Sequence, residues 1–94
     1  MLRISIITDF DKTTRFLLEG SLTGPWVGEL RRLCQKAMEE SKAVVLDLER
    51  LRYVDLEGVV LLRELSEKRV AQLNSSAFVR QQLLEGTYDV SDGY

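Results

Sequence analysis

The segment Ala43 to Leu48 (Ala-Val-Val-Leu-Asp-Leu) is a nearly continuous apolar run, short and rich in β-branched residues. Such a run fits a central parallel strand whose faces must be covered by helices. The residues before it supply one. Thr23-Gly24-Pro25 can open a helix, with Thr23 or Gly24 as the cap and proline at a first helical position whose N–H would be unbonded in any case. Trp26, Val27, Leu30, Leu33, Cys34, Ala37 and Met38 then recur at helical spacing and define one buried stripe. Glu29, Arg31, Arg32, Lys36, Glu39 and Glu40 cover the other side.

The residues after the run supply a second helix. Glu49 to Val54 reads as a connection anchored by Leu51, Tyr53 and Val54. Asp55 can cap a helix from Leu56 to about Lys68, whose apolar positions are Val59, Val60, Leu61, Leu62 and Leu65. Val70 to Leu73 predicts a short strand, and Asn74-Ser75-Ser76 a loop with capping residues. Ala77 to Glu85 predicts a last helix, using Phe78, Val79, Leu83 and Leu84, stopped by Gly86. At the other end, Leu2, Ile4 and Ile6 alternate with Arg3, Ser5 and Ile7 as in a strand. A polar turn at Asp9 to Thr13 joins it to a second strand over Thr14 to Leu22.

The order is therefore β-β-α-β-α-β-α. An opening hairpin followed by alternating strands and helices implies a parallel α/β core with right-handed crossovers. The expected fold is a single α/β domain over residues 1–94, with a mixed sheet of four or five strands and helices mainly on one face. Residues 87–94 are expected to form a polar tail that frays or adds a short edge strand.

Composition removes several functional classes. Thirteen basic residues stand against 15 acidic ones for a net charge of −2, and the basic residues are scattered apart from Arg31-Arg32. That is not a nucleic-acid footprint. The chain has no histidine, so the commonest general base and transition-metal ligand are missing. No Asp-rich loop has EF-hand spacing, and no glycine-rich strand-to-helix turn carries a lysine for phosphate. The expectation is no metal, no cofactor and no catalysis. The single cysteine, Cys34, permits no internal disulfide and sits on the helical stripe, a core position. No apolar run approaches membrane-spanning length and the N-terminus does not read as a signal peptide, so the expected location is the cytoplasm.

Three stretches together resemble the STAS family, the domain of sulfate transporters and anti-sigma-factor antagonists. Val44-Val45-Leu46-Asp47-Leu48, a six-residue connection and Asp55-Leu56-Glu57-Gly58-Val59-Val60-Leu61-Leu62 are similar to its apolar strand, aromatic-bearing loop and Asp-Ser-Ser/Thr-Gly helix start. Tyr53 takes the aromatic place, Asp55 the aspartate and Gly58 the glycine. Phe16 to Leu22 resembles the family's second strand, and Asn74 to Leu84 its later loop and helix. The resemblance covers about residues 2 to 86. Each motif alone is unspecific, and it is their order and spacing together that mark the family. It implies a protein-interaction role in partner switching and transcription regulation, with Tyr53, Asp55, Leu56, Glu57 and Gly58 as the partner-binding residues. The implied partner is an anti-sigma factor of serine-kinase fold. The alternative is a STAS subunit of a larger complex, such as a lipid-transport ATPase.

Two departures bear on mechanism. Regulatory members carry a phosphoacceptor hydroxyl after the aspartate, where this chain has Leu56, and Glu57 follows where a Ser or Thr is usual. The family's C-terminal strand and helix are missing or reduced to residues 87–94. A helix start carries unbonded N–H groups and a partial positive charge, so Asp55 and Glu57 are favourably placed there whatever else they do. Several roles stay open on sequence alone. Asp55 is a partner contact or a cap. Leu56 is an exposed anchor or folds over the core. Glu57 is a phosphate mimic or a first-turn acid. Gly58 admits a partner or packs on the strand, and Ser75-Ser76 caps the last helix or accepts phosphate.

Overall fold

The computed structural model describes residues 1–10 and 12–91, without the side chains of 8–10 and 85–91. Four strands and three helices follow in the order β1 (Leu2–Phe10), β2 (Thr13–Leu22), α1 (Pro25–Glu39), β3 (Ala43–Val54), α2 (Leu56–Glu67), β4 (Ala71–Leu73) and α3 (Ala77–Ser91). The sheet order is β1-β2-β3-β4. β1 and β2 form an antiparallel hairpin, and β2, β3 and β4 run parallel. It is a mixed four-stranded sheet, as the pattern of segments predicts. The crossovers β2-α1-β3 and β3-α2-β4 step across the sheet in one direction. Two right-handed crossovers of that kind place both helices on the same face.

That face holds the core. Phe16 and Leu18 of β2, Val44, Leu46 and Leu48 of β3, and Leu61, Leu62 and Leu65 of α2 are buried together. From α1, Val27, Leu30, Cys34 and Ala37 join them, with Trp26, Leu33 and Met38 half-buried alongside. The predicted stripe on α1 is therefore the packing stripe. On the other face of the sheet Arg15, Leu17, Val45 and Asp47 remain half-exposed.

Three boundaries differ from expectation. The polar segment Asp9–Thr13 is mostly strand, because Phe10 pairs with Thr13 and only positions 11 and 12 lie between the strands. Glu49–Val54 is not a connection either. It is the second half of β3, still paired with β2 through Glu19↔Arg50, Gly20↔Leu51, Ser21↔Tyr53 and Leu22↔Val54. Two register shifts each insert one extra residue on the β3 side, so buried positions fall at 48, 51 and 54 rather than every second residue. A bulge conceals a strand from any search for period two. Lastly, α3 does not stop at Gly86 but continues to Ser91. Glycine within a helix costs only about 1 kcal/mol, which packing of a helix through residues such as Val79 can override. The tail thus begins no earlier than position 92, and residues 92–94 lie outside the described part.

Candidate functional site

The carboxyl ends of β2 and β3 lie side by side and each feeds a helix. β2 ends at Leu22, and Gly24 caps α1 with φ 54° and ψ −130°. That conformation is open to glycine and strained for other residues. Pro25 follows as the first helical residue. β3 ends at Val54, and Asp55 caps α2 from an extended conformation. The two helix starts are therefore neighbours.

A single carboxylate joins them. Asp55 Oδ1 accepts the N–H of Gly58 at 2.8 Å, and Oδ2 accepts the N–H of Gly24 at 3.1 Å. The Asp55 N–H in turn donates to the Leu22 carbonyl at 3.2 Å, and its carbonyl accepts from Val59 at 2.9 Å. Asp55 is thus the cap of α2 and a cross-tie to the cap of α1. Both carboxylate oxygens are already engaged by backbone amides.

Gly58 is buried beneath this turn. A Cβ built on it would lie 2.6 Å from Val54 Cγ1 and 2.8 Å from the Leu22 carbonyl oxygen. Glycine is required because α2 enters directly against the strand ends, and Gly58 supports the surface from below without reaching it. A third element secures the same corner. The Gln82 side chain of α3 accepts from the Val54 N–H at 3.0 Å and donates to the Val54 carbonyl at 2.8 Å. One amide therefore bonds the last residue of β3 as an adjacent strand would. Nothing in the local sequence marks Gln82 for this, since a glutamine on a helix is ordinary.

What projects from this fixed corner is apolar with one charge. Leu56 is 65% exposed, Tyr53 and Val60 are also exposed, and Glu57 stands beside them. Val60, one of the apolar positions of α2, lies on the outer face, one turn beyond Leu56 at i+4. Of the five sequence-derived site residues, Leu56, Glu57 and Tyr53 reach solvent, Asp55 is half-buried and fully bonded, and Gly58 is packed away. Ser76 Oγ accepts the Val79 N–H at 3.1 Å and caps α3.

Chemically the corner presents an apolar surface with one carboxylate beside it. Among the described residues no group of three or more His, Cys, Asp or Glu side chains could hold a metal ion. Cys34 is fully buried, and burial pushes its thiol up to about 11, far from a reactive thiolate. Among the described residues no helix is long and apolar enough to cross a membrane.

A hairpin followed by two parallel crossover units, in a mixed four-stranded sheet with three helices, agrees with the STAS fold. Comparison with solved structures gives the same result. The anti-sigma factor antagonist SpoIIAA in its unphosphorylated form superposes with a TM-score of 0.63 over the whole of both chains, at 22% identity. At that identity the likeness is one of fold. No family model and no curated protein sequence matches the chain.

Proposed function

We propose that this chain is a non-enzymatic interaction domain that works as an anti-sigma factor antagonist does. It binds an anti-sigma factor of serine-kinase fold in the cytoplasm, through the start of α2. The observation that carries this reading is the exposure of Leu56 and Glu57 on a helix start held by Asp55, Gly58 and Gln82. A rigid, partly apolar surface loses little conformational entropy when a partner covers it. SpoIIAA, whose structure is similar, is by its description an anti-sigma factor antagonist.

Leu56 removes the switch at this position. A phosphate would add nearly two negative charges beside the helix amides, and leucine offers no oxygen to carry it. Glu57 brings one permanent charge, so a partner that accepts Glu57 meets no further repulsion here. Tyr53, exposed near the end of β3, is taken as a further contact from the same family motif. Asp55 and Gly58 act by holding the helix start in place.

The test is binding of purified anti-sigma kinases from the same genome to wild type, Leu56→Asp and Glu57→Lys, with circular dichroism to check the fold. Both variants are expected to weaken binding while keeping the fold. If both bind as wild type does, the contact lies elsewhere on the molecule.

A further inference from the structure

We propose that the partner of this surface inserts two neighbouring apolar side chains into the groove between α1 and α2, and that a lysine or arginine beside them meets Glu57. This rests on the reading above and specifies the chemistry of the partner segment. The groove is lined by Val27 and Arg31 of α1 and by Leu56, Glu57 and Val60 of α2, and encloses about 470 Å³. Its volume exceeds what one side chain fills. Val27, only 4% exposed, forms the floor, and Leu56 and Val60 stand on the α2 side at 65% and 46% exposure. Lone exposed leucines are ordinary, but two aliphatic residues one turn apart over a buried valine form a continuous apolar patch.

The charges around the groove select the occupant. Arg31 Nε lies 3.5 Å from Glu64 Oε2, so the cation on the α1 side is already met by α2. Asp55 has both oxygens on backbone amides. The Glu57 carboxylate forms no ion pair or hydrogen bond among the described residues. Beyond the partial charge of the helix start, the rim therefore carries a carboxylate with no ion-pair partner among the described residues, directly beside the apolar opening. An acidic segment would be repelled there, and an uncharged one would desolvate Glu57 without replacing its water. A segment with two apolar anchors and an adjacent cation satisfies both features, as in recognition of an amphipathic helix by a groove.

The experiment uses the full chain and a purified anti-sigma kinase from the same genome as the probe. Val60→Asp is expected to weaken binding by about 30-fold or more, and Val60→Ala by about three- to tenfold, the loss of its methyl contacts. Ser66→Asp, exposed near the far end of α2, is the charge control and should bind as wild type. Glu57→Gln should flatten the salt dependence of binding. Benzoylphenylalanine at position 60 should photo-cross-link to a partner segment with apolar residues beside a lysine or arginine, located by mass spectrometry. If wild type binds and Val60→Asp binds equally well, the groove assignment is overturned while the antagonist reading stands. A cross-link to an acidic segment, an equal loss in Ser66→Asp, or a change in this chain's own oligomeric state instead of partner affinity also overturns it. Failure of wild type to bind any such kinase overturns the antagonist reading, and the groove assignment falls with it.

Discussion

Asp55→Ala tests whether one carboxylate ties two helices together. The side chain accepts two backbone N–H bonds, from Gly58 at 2.8 Å and from Gly24 at 3.1 Å. Loss of an N-cap costs about 1 kcal/mol, and loss of a second bond to a charged acceptor costs about 1.5–3 kcal/mol when it is shielded from water. Part of that is recovered, because water reaches the amide of exposed Gly24 more readily than that of buried Gly58. The expected destabilisation is therefore about 2 kcal/mol, or a fall of roughly 8–16 °C in Tm for a domain of this size. Asp55→Asn separates the two roles. Its remaining oxygen can still accept from Gly58, but its amide nitrogen would face the Gly24 N–H, donor against donor. Asparagine should lie between wild type and alanine. Thermal unfolding followed by circular dichroism gives the stabilities. Amide hydrogen exchange at Gly24 and Gly58 gives the site-specific readout, since both amides should lose protection in alanine and Gly24 more than Gly58 in asparagine. A fall of less than about 4 °C in Asp55→Ala, which corresponds to under about 1 kcal/mol, would refute the cross-tie. So would unchanged Gly24 protection.

Gly58→Ala should destabilise by about 1–3 kcal/mol, despite alanine's better helix propensity, because its Cβ would press on Val54 and on the Leu22 carbonyl; an unchanged or raised Tm would contradict the close approach. Cys34 should resist Ellman's reagent at pH 8 in the folded protein and react only as fast as the protein unfolds, since its thiol is fully buried and pushed up to about 11. The same raised value sets a sign: the thiol's contribution to stability is fully present below pH 9.0 and is lost as pH rises toward about 11, so Cys34→Ser should flatten the alkaline limb of a stability profile measured by urea unfolding. If the proposed kinase-fold partner is the right one, wild type incubated with that kinase and ATP should take no phosphate at the α2 start, whereas Leu56→Ser should take it there, slowed by Glu57; mass spectrometry locates the phosphate, and its appearance on Ser75 or Ser76 of wild type with loss of binding would end the idea of an unswitched antagonist.

The features legible in the sequence were those carried by short-range pattern. The α1 stripe was readable because Val27, Leu30, Cys34 and Ala37 obey a 3.6-residue period, and one face of a helix is buried as a unit. The cap at Asp55 was readable, and those of α1 and α3 were narrowed to Thr23 or Gly24 and to Ser75-Ser76, because helix starts have local chemistry. Glu49–Val54 and the end of α3 were misread for a common reason. Two bulges and one glycine break the local signal, while pairing with β2 and packing on α2 and β3 supply the energy from far along the chain.

The order of strands and helices, and from it the α/β class, was determined by the sequence alone, because alternation of period-two and helical patterns is local information. Asp55 was likewise readable as a helix cap, and Asp55 and Gly58 together were picked out by their resemblance to a family motif. Only the tertiary structure decided what they do. Gly24 and Asp55 are 31 residues apart, as Leu22 and Gly58 are 36 apart, and their contacts exist only once two parallel strands have brought their ends together. The same assembly turned Leu56 and Val60 outward over Val27, because a helix with Gly58, Val59, Leu61, Leu62 and Leu65 already facing the sheet has no buried face left for them.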